Sequence, residues 1–310
     1  MSSIQNFRKA LCYLPPKLSD SLKKLPACTA ERVNEIRLRI NRPLSVSIYG
    51  ENHFVTQNGS LTLSPSLSVI CSSEDIQTSF RAVCDYSVHS HQKEISQGFI
   101  TIEGGNRVGI CGTAVGTDKK VETLNYISSM NFRIAGEIFG CGEEICNKLL
   151  SRRLTGVLLV GEPLSGKTTI LRDICRIIGK SHRISIIDER SEIAACYKGV
   201  PQNDIGFFSD LLDGYDKKNG IETAVRVMSP EMVVCDEIGG KSDCEAVLSA
   251  VTSGVKFAAS VHGSSIDEIL QREHMKKLVD CKIFEYAVLL GSGAEVGKIT
   301  EIRKIGGLEC

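Results

Sequence analysis

The chain has 310 residues, enough for one large domain or two ordinary ones each with a proper core, and two is the expectation. Lysine plus arginine number 37 and aspartate plus glutamate 37, so the formal charge is zero and no global field concentrates nucleic acid or anionic lipid. No apolar run approaches the roughly 18 residues of a membrane span, and the opening MSSIQNFRKALCYLPPK lacks the apolar core of a signal peptide, so a cytoplasmic location is expected.

Residues 4–11 read as a short helix, and the stretch carrying Pro15, Pro16 and Pro26 as a loop. Ile36, Leu38 and Ile40 alternate with Arg37 and Arg39, Asn41-Arg42-Pro43 turns the chain, and Leu44, Val46 and Ile48 alternate again, a hairpin by period and punctuation. Residues 53–56 and 61–63 flank Asn58-Gly59, a second hairpin turn. A helix fits 74–86, where Ile76, Phe80, Val83 and Cys84 share one face behind Ser72 and Ser73, and 89–97 is also read as helical. Strands are expected at 99–102, 107–115 and 126–134. Residues 1–140 are therefore expected to form an α+β domain with an antiparallel sheet. Its glycines Gly104, Gly105, Gly109, Gly112 and Gly116 precede no helix start, so they are read as turns and close strand packing, not as a phosphate loop. Residues 141–155 are expected to be a linker with a short helix over 143–150.

From Gly156 onward strands alternate with helices, the signature of an α/β domain with a mostly parallel sheet over 156–310. The apolar run 156–160 leads into GEPLSGKT, and Ile170, Leu171, Ile174, Cys175, Ile177 and Ile178 then carry a helix to Gly179. This is the strand, loop and helix of a P-loop. The segment Gly161, Glu162, Pro163, Leu164, Ser165, Gly166, Lys167, Thr168 and Thr169 is expected to wrap phosphates with its backbone NH groups, with Lys167 reaching the terminal ones and the Thr168 hydroxyl holding Mg²⁺. A strand over 183–187 ends in Asp188-Glu189-Arg190. Residues 198–220 read as loop with a short helix, 221–228 as a helix stopped by Ser229-Pro230, and 232–235 as a buried strand ending in Asp236-Glu237. A capping box from Ser242 to Glu245 opens a helix to Ser253, a strand over 255–261 ends at His262, and a second capping box from Ser265 to Glu268 opens another helix. Residues 284–290 and 298–305 are expected to close the sheet as a strand pair.

Ligands of open parallel sheets bind outside the carboxyl ends of the strands, so the P-loop, Asp188-Glu189, Asp236-Glu237 and Ser260-Val261-His262 are candidates for one crevice. Asp236, after a buried strand, suits the carboxylate that holds Mg²⁺ through water. Glu237 suits the group that orients or deprotonates an attacking water. His262 is either an ordinary loop histidine or a sensor of the terminal phosphate. Asp188, Glu189 and Glu192 either tune the site or cap the strand. Hydrolysis also calls for an arginine in cis or in trans, with candidates Arg107 and Arg133 in the first domain and Arg190, Arg226 and Arg272 in the second. The 13 cysteines are scattered singly with no CxxC spacing, which favours small buried hydrophobes in a reducing compartment.

GEPLSGKTTILRDICR, IIDERSEIA, GVPQNDIG, SPEMVVCDEIGG and ASVHG, with EIRLRINRPL, EISQGFITIEGGNRVGICGTAVG and ISSMNFRIAGE in the first half, closely resemble the stage III sporulation protein AA family of endospore-forming bacteria. The resemblance covers nearly the whole chain. It implies a mother-cell ATPase similar to the motors of type II and type IV secretion and of pili, which are RecA-like rings, usually hexamers, with nucleotide held between the ATPase domain and an N-terminal domain. Carried over, the Walker B acids are Asp236 and Glu237, the acidic box runs from Asp188-Glu189 to Glu192, and His262 is the histidine box. Arg133 or Arg107 would be the interface arginine. The implied cofactors are ATP and Mg²⁺. The implied partners are further copies of the chain and membrane proteins of the same sporulation channel, so the contact with the membrane would be peripheral. The chain departs from the secretion motors at Ile238-Gly239-Gly240, where they carry an arginine and an acid, and at Leu164-Ser165, where they carry Gly-Cys or Gly-Ser. A nucleotide-switched scaffold with little hydrolysis is the alternative reading. A nucleic-acid motor ranks last for want of net charge or a basic extension.

Overall fold

The computed structural model describes residues 3–117, 120–250 and 253–306. The chain divides into two compact units, Met1–Glu137 with Ala195–Gln202, and Ile138–Ala194 with Asn203–Cys310.

The first unit opens with helices α1 (Ser3–Leu11), α2 (Pro16–Lys23) and α3 (Ala27–Ala30). The prolines that read as loop instead start helices: Pro16 occupies the first turn of α2, where no intrahelical NH is needed. Strands β1 (Val33–Arg39), β2 (Arg42–Pro43), β3 (Ser45–Ile48), β4 (Glu51–Val55), β5 (Leu61–Thr62) and β6 (Ile70–Cys71) follow. Both expected hairpins form, with Ile36 opposite Val46 and Phe54 opposite Thr62. Helix α4 (Ser73–Val83) starts in a true capping box between Ser72 and Asp75, and α5 (Gln92–Gln97) leads to β7 (Phe99–Ile102), β8 (Asn106–Thr117) and β9 (Lys120–Arg133). The main sheet has seven strands in the order β5-β4-β3-β1-β9-β8-β7, every pairing antiparallel. Ile36, Leu38, Val108 and Phe132 of the sheet and Phe7, Leu18, Leu22 and Ile76 of the helices share one core. The segment Ala195–Gln202 belongs to this unit: Gln202 Oε1 accepts from the Gly104 amide at 2.8 Å, and the hydroxyls of Tyr197 and Tyr13 meet at 3.3 Å.

In the second unit, α6 (Glu143–Ile145) runs on as a π turn over Cys146–Leu150. Ile145 and Leu150 are buried in this unit's core. Then come β10 (Val157–Gly161), α7 (Lys167–Ile178), β11 (Ile184–Asp188), β12 (Ser209–Asp213), α8 (Lys217–Thr223) with a π turn at Ala224–Met228, β13 (Met232–Cys235), α9 (Lys241–Ala250), β14 (Lys256–His262), α10 (Ile266–Gln271), α11 (Glu273–Asp280), β15 (Tyr286–Leu290) and β16 (Ile299–Lys304). The strand order is β12-β11-β13-β14-β10-β15-β16, parallel throughout except for the last pair. Val157 and Leu159 pack with Ile170 and Ile174 of α7, while Leu158 and Val160 join Val247, Phe257 and Ile269. A parallel sheet covered on both faces explains why its strands read as unbroken apolar runs. The expected capping box at Ser242 does not form. The Asp243 carboxylate instead accepts from the Gly240 amide at 3.2 Å, and Glu245 lies 3.9 Å from Lys241. The expected end of that helix at Ser253 crosses residues 251–252, outside the described residues. At Ser265 the box is real, the hydroxyl accepting from the Glu268 amide at 3.1 Å.

Candidate functional site

Strands β11, β13, β14 and β10 are consecutive neighbours, so the four polar strand ends read from the sequence lie side by side at one edge of the sheet. Register fixes this alignment: Gly161 is opposite His262 and Ile187 is opposite Cys235, which immediately precedes Asp236.

The loop after β10 is shaped by backbone demands. Gly166 has φ 94° at the start of α7 and Leu164 has φ 64°, with its side chain 91% exposed. A Cβ on Gly161 would run into Ser165 Oγ, so a side chain there would force the buried Ser165 hydroxyl to move. Glu162 and Pro163 lie exposed on the turn, while Ser165 is buried beneath it and its carbonyl accepts from the Gly297 amide at 3.0 Å. Thr169 follows in the first turn of α7, and its carbonyl lies 3.6 Å from Cys141 Sγ. Lys167 folds back over the loop, its ammonium donating to the carbonyls of Gly161 at 2.8 Å and Glu162 at 2.7 Å. Burial lowers the Lys167 pKa, with Asp236 and Glu237 pulling it back up.

Thr168 Oγ1 donates to Asp236 Oδ2 at 2.6 Å, joining the start of α7 to the end of β13 across the intervening β14. Ser260 of β14 makes the join rigid. Its hydroxyl, fully buried, donates to Asp236 Oδ1 and accepts from the Glu237 amide at 2.9 Å, and its carbonyl accepts from Ile238 at 2.8 Å. Replacing Ser260 with Ala strips the carboxylate and the amide of their partner. A loss of about 1–3 kcal/mol in unfolding free energy is expected from denaturant titration. The ring of His262 lies at the same edge, with Nδ1 3.3 Å from the Gly161 carbonyl, a bond that needs the proton on Nδ1.

Asp188 has a different role from its neighbours. Its carboxylate is 2% exposed and accepts three backbone amides, from Glu192 at 2.8 Å, Ile193 at 3.0 Å and Ala194 at 2.8 Å. Burial pushes it up to about 6, while the three amides favour the ionised form and oppose that rise. Arg172 of α7 holds the same loop from the other side, donating to the carbonyls of Ile193 at 2.9 Å and Glu192 at 2.7 Å. Of the two readings open for Asp188, the geometry favours capping. Glu189 pairs with Lys217 at 2.7 Å, and Arg190 reaches Glu237 at 3.0 Å.

The other candidate arginines lie on other elements. Arg107 and Arg133 belong to the first unit, directly opposite each other across β8 and β9, with the Arg107 guanidinium 4.7 Å above the Phe99 ring. Arg272 pairs with Glu268 at 2.5 Å and Arg226 sits in the π turn after α8. Ser260 carries more of the site than its sequence position suggests. The available signal was its place in the strand that separates the P-loop from Asp236, but that strand order is a property of the fold.

The second unit is thus an α/β domain with a glycine-bearing loop between a parallel strand and its helix, and an acid from the end of a second strand bonded to a threonine in that helix's first turn. Solved structures share this fold. The pilus retraction motor PilT, whose structure contains ADP, matches with a TM-score of 0.56 at 14% identity, covering 83% of this chain and 74% of that one. The ATPase DotB of Legionella pneumophila matches with a TM-score of 0.52 at 12% identity, covering 83% and 72%. The pattern of the family described as "Sporulation stage III, protein AA" matches residues 16–309. Stage III sporulation protein AA of Bacillus subtilis (strain 168) is 32% identical over 295 residues, 93% of this chain and 92% of that protein. The chain belongs to the stage III sporulation protein AA family.

Proposed function

We propose that the second unit is a RecA-like Mg-ATPase and that the chain works as a ring-forming motor of a sporulation channel. The observation that carries this is the Thr168–Asp236 bond at 2.6 Å, which brings together two hard oxygen ligands at the mouth of the P-loop. Mg²⁺ needs only one or two protein oxygens beside phosphate and water, so these residues fit it. Bound there, the ion would neutralise charge on the terminal phosphates.

The rest follows from the chain's own groups. Lys167 exchanges two carbonyl acceptors for phosphate oxygens, a stronger charge-assisted pairing. The free NH groups at the start of α7 face the same anion. Glu237 takes a proton from the attacking water, whose oxygen bonds to the γ-phosphorus as the bond to the ADP oxygen breaks. His262 lies against the loop as a candidate sensor of the terminal phosphate. An arginine from a neighbouring copy, Arg133 or Arg107, would offset the charge of the transition state. The same reading places the protein in the mother-cell cytoplasm, held to the membrane by channel proteins; among the described residues no helix is long and apolar enough to cross a membrane.

Isothermal titration with ATP tests the site. Wild type is expected to bind, and Lys167→Ala to bind about 10–100-fold more weakly, the worth of a charged hydrogen bond or two. Equal affinities would remove the P-loop reading. Binding without Mg-dependent turnover would leave a nucleotide-switched scaffold.

A further inference from the structure

Glu237 stands at φ 51°, a left-handed conformation that a glutamate keeps only when its surroundings impose it. The imposed constraint is visible on one side, where Ser260 binds the Glu237 amide and the Ile238 amide and so fixes the turn after β13. This holds the backbone and leaves three side-chain torsions free. On the other side, from the end of β11, Arg190 Nη1 sits 3.0 Å from Glu237 Oε2. Both residues line a crevice shared with Asp188, Glu189 and Asp236. The crevice's other cation, Lys217, is engaged by Glu189 at 2.7 Å. Among so many carboxylates Glu237 would be repelled toward solvent, and the guanidinium opposes that.

We propose that Arg190 is a positioning residue for hydrolysis, supplied in cis, which aims the Glu237 carboxylate at the attacking water. The inference rests on the reading of the site as a Mg-ATPase. It assigns a task to an arginine of the same unit that the interface arginines do not perform: Arg190 acts on the base, not on the phosphate. The loop that carries it is held by the Asp188 cap and by Arg172, so its placement is built into the fold. The pair is 65% and 55% exposed, which makes it worth little to stability and separates a positioning role from a structural one.

The test is a double-mutant cycle on the full chain. Arg190→Gln is expected to lower kcat about 10–100-fold, the effect of an ångström-scale misplacement, with ATP affinity within about threefold of wild type and Tm within about 2 °C. Arg190→Lys should recover part of the loss, since it restores the charge but not the planar fork. In a Glu237→Gln background Arg190→Gln should cost nothing further, because there is no carboxylate left to aim. Turnover of Arg190→Gln within about twofold of wild type would overturn the proposal alone, as would an equal loss in both backgrounds. Absence of turnover by wild type itself would remove the hydrolysis reading and this one together.

Discussion

Glu237→Gln is expected to reduce ATP turnover by about 10²–10⁴-fold while leaving nucleotide affinity within about threefold of wild type. The substitution keeps the shape, the backbone conformation and the amide bond to Ser260, and removes only the carboxylate proposed to accept the proton. The proposed phosphate contacts come from the loop between β10 and α7 and do not involve this side chain, so binding should be retained. An activity that fell through loss of affinity alone would place Glu237 among the binding groups, and undiminished turnover would take it out of the chemistry altogether. Phosphate release under saturating Mg-ATP, with binding of a fluorescent nucleotide measured on the same samples, separates the two. The departure at Ile238-Gly239-Gly240 sharpens the expectation. With no charged side chain in the three residues after it, Glu237 depends for its aim on Ser260 and on Arg190.

The parts of the site legible in the sequence are those set by local chemistry. Glycine at 161 and 166, Lys167 and Thr168 follow from what a phosphate loop requires of the backbone, and Asp236 from the four fully buried residues of β13 that precede it. The two hairpins of the first unit were legible because apolar residues alternate along β1, where Ile36 and Leu38 are buried, and because the turns carry Asn41 and Gly59 in left-handed conformations. Other elements carry no such signal. Strand β12 buries only Leu212, so an edge strand with two aspartates reads as loop. Helix α2 begins where two prolines look like a break. Beyond Cys111 strand β8 loses its buried alternation, so its full length is set by pairing with β9 and not by burial. Ser260 and Arg190 were legible as candidates at strand ends, but their partners, Asp236 and Glu237, and the amides gathered by Asp188 follow from strand order and loop geometry, which spacing along the chain does not encode.

Asp188→Ala should produce the largest loss of stability among the acids at this edge, roughly 3–6 kcal/mol, from about 1–3 kcal/mol for each of the orphaned amides less what relaxation recovers. The carboxylate is 2% exposed, so water cannot take its place without opening the loop. For a domain of this size the change corresponds to a drop in Tm of about 10 °C or more. Asp188→Asn should fall between, because one oxygen can still accept while its NH₂ group faces donors. The Ala variant should also lose turnover at temperatures where it remains folded, since the freed loop carries Arg190 away from Glu237. Thermal unfolding of wild type, Asn and Ala proteins, read with turnover well below each Tm, tests both effects. A stable Ala variant would make Asp188 a member of the site rather than its support, and stability lost without turnover would uncouple the loop from the chemistry. The run 188–192 therefore divides by burial: the one carboxylate removed from water holds the loop, and the exposed groups beside it pair across the crevice, Glu189 with Lys217 and Arg190 with Glu237.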